Sequence, residues 1–413
     1  MPPRCAPAGE DAVLISGRRL ILLMAVLTGV GQLGVGLYVP SMPAVADHFS
    51  VDDDHVKLTF SLYIAALALT QLLVGPLSDR FGRKVVLQAG NMLFLLASAA
   101  CAVAPSIGVL IVARALQGAG ACVPVAVGRA VVRDVHRGDE AARALAAIGM
   151  VMALAPALGP SIGGVIQVTL GWRALFVALT IIGMICFAMT HVMLNETLQP
   201  ERRQPLRLGR IFVTYLTLVA DRTYMAYGLA VSLAMAGLGA YLAGAPFVFI
   251  RLLGISEPVF GLFSIGNVGS FAIGSAIASR ITGRVFTMPG MIVFGGALCT
   301  LAGTTVVAIM LAGVVSVPTI LAPMVFYFIG MGMLVPNAMA AAINRYPDNA
   351  GLASALLGAL QYGGWSAAGV AVGALGTASA VPFGGVVAAV GLGSLVSFLL
   401  LHGMPRRFRV VGS

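Results

Sequence analysis

From Leu20 to His402 the chain is a succession of apolar runs, each about twenty residues long. Short charged or Pro- and Gly-containing breaks separate them. Crossing a hydrocarbon core of ~30 Å takes ~20 such residues in a helix. The pattern predicts twelve membrane-spanning helices, at 19–40, 56–77, 85–104, 107–130, 143–168, 172–194, 222–250, 258–280, 288–312, 317–343, 350–376 and 382–403. Spans 3 and 4 are parted only by "VAPSIG", 5 and 6 by "TLGW", and 11 and 12 by "ASAVP", so each pair forms a tight antiparallel hairpin. The longest polar interval, 195–221, divides the chain into an N-terminal tail (1–18), a six-helix half (19–194), a linker, a second six-helix half (222–403) and a C-terminal tail (404–413).

The two halves echo each other. "YVPSMP" at Tyr38–Pro43 matches "YLAGAP" at Tyr241–Pro246, and "FSLY" at Phe60 matches "FSIG" at Phe263, both at an offset of 203 residues. "LSDRFGRKV" after span 2 is echoed by "ASRITGRV" after span 8. Three matches in order indicate an internal repeat. Parallel repeats around a central pathway are a transporter architecture, with substrate bound near the midplane between them.

Composition agrees with the pattern. The chain is 59% hydrophobic and 10% charged, against about 25% charged in soluble domains. The net charge of +10 does not call for nucleic acid, because its placement has another cause. With the N-terminus inside, all but four of the 25 Lys and Arg residues fall on the inner side or in the tails. Lys57, Arg173 and Arg251 fall outside, and Arg114 lies within a span. The positive-inside rule therefore predicts both termini in the cytoplasm. The basic start "SGRRLILLMAVLTG" is read as the flank of an uncleaved first helix rather than an export signal. The five cysteines are scattered without metal spacing and read as small apolar residues. No metal or cofactor is expected.

The most specific local signal is "GPLSDRFGRK", Gly75–Lys84. It resembles the signature of the major facilitator superfamily between spans 2 and 3 at Gly75, Asp79, Arg80, Gly82, Arg83 and Lys84. Gly75 permits close helix approach and Gly82 a tight turn. Asp79 could face the N-terminal end of span 11 near "DNAGL", and Arg83 could pair with Asp134 at the end of span 4. The resemblance implies a latch that holds the halves together in the outward-facing state. "RALQGAGA", Arg114–Ala121, resembles the span 4 signature of drug:proton antiporters. "ALGPSIGG", Ala157–Gly164, resembles their span 5 signature, with Gly159, Pro160, Gly163 and Gly164. "LYVPSMPAVADHF", "GRAVVRD", "NETL" and "APFVFI" together look like the bicyclomycin and chloramphenicol resistance (Bcr/CflA-type) branch. An all-α fold of twelve helices in two pseudo-symmetric halves follows from the resemblance.

One departure matters. That branch typically carries an aspartate in span 1, where this chain has Gly36. None of the fifteen Asp and Glu residues falls mid-membrane in the predicted spans. A proton handle would then lie at a rim, with Asp134, Asp79 and Asp47 as candidates, or coupling is absent or of another kind. Arg114 is the one charge inside a span. It either serves transport or bonds to backbone carbonyls and ties helices together, and being always protonated it cannot relay a proton itself. The superfamily resemblance implies a cavity lined by spans 1, 4, 7 and 10 with 2, 5, 8 and 11 beside them. The polar and aromatic candidates on these spans are Gln32 (one turn from Gly36), Tyr63, Arg114, Gln117, Tyr227, Asn267, Asn337, Gln361, Tyr362 and Trp365. Trp365 lies far from the headgroup level that tryptophans favour.

The expected function is a multi-pass inner-membrane carrier, acting as a monomer, that exports small amphipathic drugs or toxic metabolites by alternating access with proton antiport. The alternative is an uncoupled or differently coupled carrier of metabolites or anions. A sensor that no longer transports is a third reading, against which the intact latch signature speaks. No cluster of nucleophile, base and oxyanion donors suggests an enzyme.

Overall fold

The computed structural model describes residues 17–136, 138–203, 205–376 and 379–404. Among these the chain is helical, with one isolated bridge between Thr282 and Phe286. The helices are α1 (Gly17–Gly36), α2 (Met42–Phe49), α3 (Asp53–Phe81), α4 (Arg83–Ala102), α5 (Ile107–Val135), α6 (Gly138–Leu170), α7 (Trp172–Met193), α8 (Leu208–Ala220), α9 (Arg222–Pro246), α10 (Glu257–Ile281), α11 (Met288–Leu311), α12 (Val317–Asn344), α13 (Ala350–Ala374) and α14 (Val381–His402).

Eleven of the described helices are long and apolar enough to cross a membrane. The remaining predicted span, 350–376, is α13, which has the length but carries Gln361, Tyr362, Trp365 and Ser366 in its middle. These polar and amphipathic residues dilute its hydropathy because the helix packs against α9 and α3 rather than presenting a uniform face to lipid. Leu69, Leu96, Leu116 and Leu400, by contrast, stay exposed on the outer surfaces of their helices. In a bilayer such side chains meet acyl chains instead of water.

Two details depart from the simple pattern. The first span ends at Gly36, and a 3-10 turn (Val39–Ser41) leads into the short α2. The linker also holds a helix, α8, "LGRIFVTYLTLVA". At 1.5 Å per residue its 13 residues reach about 20 Å, too short to span. It packs on α9 and α13, and the Tyr215 hydroxyl donates to the Leu72 carbonyl of α3 at 2.8 Å.

Contacts between the two six-helix halves concentrate on α3 with α13 and α6 with α10. At α6, an added Cβ on Gly163 would stand 2.2 Å from the Leu37 carbonyl oxygen, and one on Gly164 would stand 2.4 Å from that of Glu257. Only glycine lets the three backbones approach this closely. The face that holds the α3–α4 turn and the linker is called the inner face.

Candidate functional site

A cavity of about 1080 Å³ opens at the inner face between the halves. Its walls come from α3, α5, α6, the linker with α8, the end of α12, and the start of α13. Toward the opposite face the halves close. Gln32 of α1 donates to the Tyr362 hydroxyl of α13 at 3.2 Å, and the Ser366 hydroxyl donates to the Ser61 carbonyl at 2.8 Å. At the outer rim Arg251 pairs with both Asp47 and Asp53 and also donates to the Pro43 carbonyl at 3.2 Å. Lys57, buried beside Asp54 at 3.2 Å, lies 5.2 Å from the Phe247 ring. This outer lock joins residues about two hundred positions apart and carries no local sequence signal.

The loop signature is built around one arginine. Arg83, 8% exposed, pairs with Asp79 at 2.6 Å and with Asp134 at 3.1 Å, and it also donates to Ser78 at 2.6 Å. Gly82 takes φ +100°, a conformation that disfavours any other residue. It starts α4, whose first amide groups donate to Glu196 at 2.8 Å (Arg83) and 3.3 Å (Lys84). A carboxylate there complements the helix N-terminus. Glu196 is the acid of "NETL". Lys84 also reaches the His191 carbonyl, while Arg80 is exposed. Asp79 and the start of α13 (Asp348, Asn349, Ala350) line the cavity together. Asp79 takes Arg83 as its partner in this state, and Gly75 faces open space.

Arg114 lies inside the N-terminal half. Fully buried, it donates to the Gly34 carbonyl at 3.1 Å and to Gln117 at 2.6 Å. Its guanidinium stacks on Tyr63 at 4.1 Å and Tyr38 at 4.6 Å. Gln117 donates onward to Ser98, and the Tyr63 hydroxyl donates to the Gly31 carbonyl. No carboxylate within 4.0 Å balances the charge among the described residues, and Nε and Nη2 have no hydrogen-bond partner. Aromatic faces and carbonyl dipoles hold it instead.

The other sequence candidates separate into groups. Gln32, Tyr362 and Trp365 meet near the closed end, with the Tyr362 and Trp365 rings 5.5 Å apart, while the neighbouring Gln361 is half-buried. The Trp365 indole N–H is buried without a partner. Tyr227 turns instead toward α14, where its hydroxyl meets His402 at 3.1 Å. Asn337 donates to the Met333 carbonyl of its own helix, and Asn267 is buried on α10. Gly36 packs on α6, where an added Cβ would stand 3.1 Å from the Gly159 Cα and 3.2 Å from Pro160. The described carboxylates lie in loops, in α2 or at helix ends.

At the inner rim Asp221 joins α8 to α9. It accepts from Arg345 at 2.5 Å, Tyr346 at 2.6 Å and the Thr223 amide at 2.9 Å. Burial raises its pKa, but these hydrogen bonds and the Arg345 charge outweigh burial and bring it down to about 2.

A cavity between two helical halves, open at the inner face and closed at the other, is the arrangement of a membrane carrier. The sequence profile of the Major Facilitator Superfamily matches residues 24–370. The chain belongs to this superfamily of transporters, in its Bcr/CflA-type branch, and is a multi-pass protein of the inner membrane. It is 33% identical to the uncharacterized MFS-type transporter YdgK of Bacillus subtilis, over 95% of this chain and 96% of that one. It is 30% identical to multidrug resistance protein D of Escherichia coli, over 83% and 85%. Its fold matches the crystal structure of a bacterial homologue of the human lysosomal transporter Spinster in an inward-facing, unoccupied conformation. That match has a TM-score of 0.70, with 13% identity over 93% of this chain and 95% of that one.

Proposed function

We propose that this chain exports small amphipathic compounds from the cytoplasm by alternating access, as a monomer and without enzymatic chemistry. Both termini and the basic face lie in the cytoplasm on this reading, and the linker 195–221 joins halves 19–194 and 222–403 that move as units. The observation that carries it is the cavity of about 1080 Å³, open at the basic face and closed at the other. That volume suits a drug-sized molecule. In the opposite state the Arg251 pairs would part, and Asp79 would leave its cavity-facing position for the start of α13. The names of the relatives, multidrug resistance protein D and a Haemophilus influenzae bicyclomycin resistance protein homologue, support the substrate class.

Proton antiport would have to run through the rim acids Asp79, Asp134 or Asp47, because the aligned span 1 position is Gly36. A second reading, a carrier coupled in another way, is favoured by the packing there. A carboxylate at position 36 would press on Gly159 and Pro160. Inside-out vesicles test the matter. A phenicol that collapses an imposed pH gradient, with the response lost in Asp134→Asn or Asp79→Asn, supports antiport. Substrate movement without proton movement supports the second reading. No movement of any compound in the panel, with the protein folded, overturns export.

A further inference from the structure

The charges around the cavity are unequal. Five arginines and three aspartates line it. Arg83 already engages Asp79 and Asp134. That leaves Arg129, Arg133, Arg207 and Arg210 facing the cavity with Asp348 as the one remaining acid. None of these four arginines has an ion-pair partner within 4.0 Å among the described residues. Arg129 lies six residues before the end of α5, about 9 Å deeper than the helix end at 1.5 Å per residue. Apolar side chains, among them Ala126, Leu145 and Ile211, also line the cavity. An apolar body could lie there with an anionic end against Arg129 and Arg133. Gln71 also lines the cavity, and its side-chain oxygen is buried without a partner.

We propose, resting on the export reading above, that the cavity takes small organic anions with an apolar body, and that the membrane potential drives their exit. Arg129 and Arg133 hold the anionic group as charge-assisted hydrogen-bond donors. A cation finds no free carboxylate beyond Asp348 at the mouth, and low-dielectric walls strengthen its repulsion. The proposal also accounts for the missing intramembrane acid. A monoanion leaving a compartment that is negative inside moves down the potential, which favours its exit about 50-fold per 100 mV. A neutral compound without proton coupling would only equilibrate. The step is pure translocation: one anion crosses, and no bond or proton changes hands.

A basic inner face also follows from topology alone, so the test needs a charge control away from the cavity. Arg280 and Arg284, exposed at the α10–α11 turn, supply it. The purified full chain is placed in proteoliposomes at equal pH, and potentials are imposed with potassium gradients and valinomycin. Two probes share one fluorophore: dansyltaurine, a monosulfonate, and a dansyl quaternary ammonium of similar size. A neutral phenicol is followed in counterflow in the same vesicles.

The expected result is dansyltaurine flux toward the positive side that rises with potential, without proton movement, and no flux of the ammonium probe. Arg129→Gln with Arg133→Gln lowers it more than tenfold, and Arg129→Lys with Arg133→Lys restores most of it. Arg280→Gln with Arg284→Gln stays within twofold. Phenicol counterflow without dansyltaurine flux overturns this inference and leaves export standing. Preference for the ammonium probe, a strict need for a pH gradient, or equal loss in the Arg280 and Arg284 variant also overturns it. Movement of neither phenicol nor dansyl probes overturns both readings.

Discussion

Replacing Arg251 with alanine should open the outer face. Arg251 bridges the halves through Asp47 and Asp53. Asp47 is 73% exposed, so that pair contributes under about 1 kcal/mol. Asp53 is 7% exposed, and a largely buried carboxylate that loses its partner costs about 1–3 kcal/mol. Because Arg251 is itself 39% exposed, solvent screening keeps the combined loss near 2 kcal/mol. That is a ~30-fold shift toward the outward-open state. Thiol labelling can read it. The four described cysteines are buried, and Cys5 can be changed to serine. Ser61, fully buried where α3 meets α13, is then replaced by cysteine and probed with an impermeant maleimide from outside. The labelling rate follows the open population while that population is small, so it should rise on the order of tenfold or more in Arg251→Ala. A change of less than threefold, with the protein folded and inserted, would refute the assignment of these pairs as a lock.

Other substitutions test the packing and the inner rim. Gly163→Ala places a Cβ 2.2 Å from the Leu37 carbonyl oxygen and should cost about 2 kcal/mol, seen as a lower Tm in detergent. Gly149→Ala, with open space around its Cβ, should not destabilise. Arg114→Lys removes the planar fork that reaches Gly34 and Gln117 while stacking on two tyrosines. A loss of about 2 kcal/mol in unfolding measurements is expected, and unchanged stability would contradict the stacking account. Asp221 has a pKa lowered to about 2, so its stabilisation is fully present above the unfolded value near 3.8 and is lost as pH falls from about 4 through 2. Asp221→Asn should lack this component in melting curves, and an acid limb identical to the parent's would argue against it.

The spans were legible because runs of ~20 apolar residues have few other uses. The contact of Arg83 with Asp134 lay within reach of the loop signature and its resemblance. Depth and facing were not legible. Tyr227 lies on a span counted as cavity-lining, yet it faces His402 on α14. Arg114 is identifiable as an intramembrane charge, but its enclosure by Tyr38 and Tyr63 depends on how α1, α3 and α5 are rotated. Arg129 and Arg133 follow the positive-inside pattern like any other arginine, and only the cavity separates them from Arg280 and Arg284. Asp53 and Arg251 are 198 residues apart, and nothing in either stretch names the other. The α8 helix was hidden because thirteen residues are too few for the length criterion that revealed its neighbours.

Glu196 and α8 together decide what kind of tether the linker is. One end is pinned to the α3–α4 turn by Glu196, which also receives the Leu198 amide at 3.0 Å. The other end is seated on α9 and α13 through α8. Between Leu198 and Leu208 run nine residues, which include a 3-10 turn at Pro200–Arg202 and would reach about 30 Å if fully extended. That length sets an outer limit on how far the inner mouth can gape, and at any separation inside the limit a tether exerts no closing pull. The closing force must come from surfaces that touch, so shortening the leash should narrow the opening, while lengthening it should leave transport unchanged.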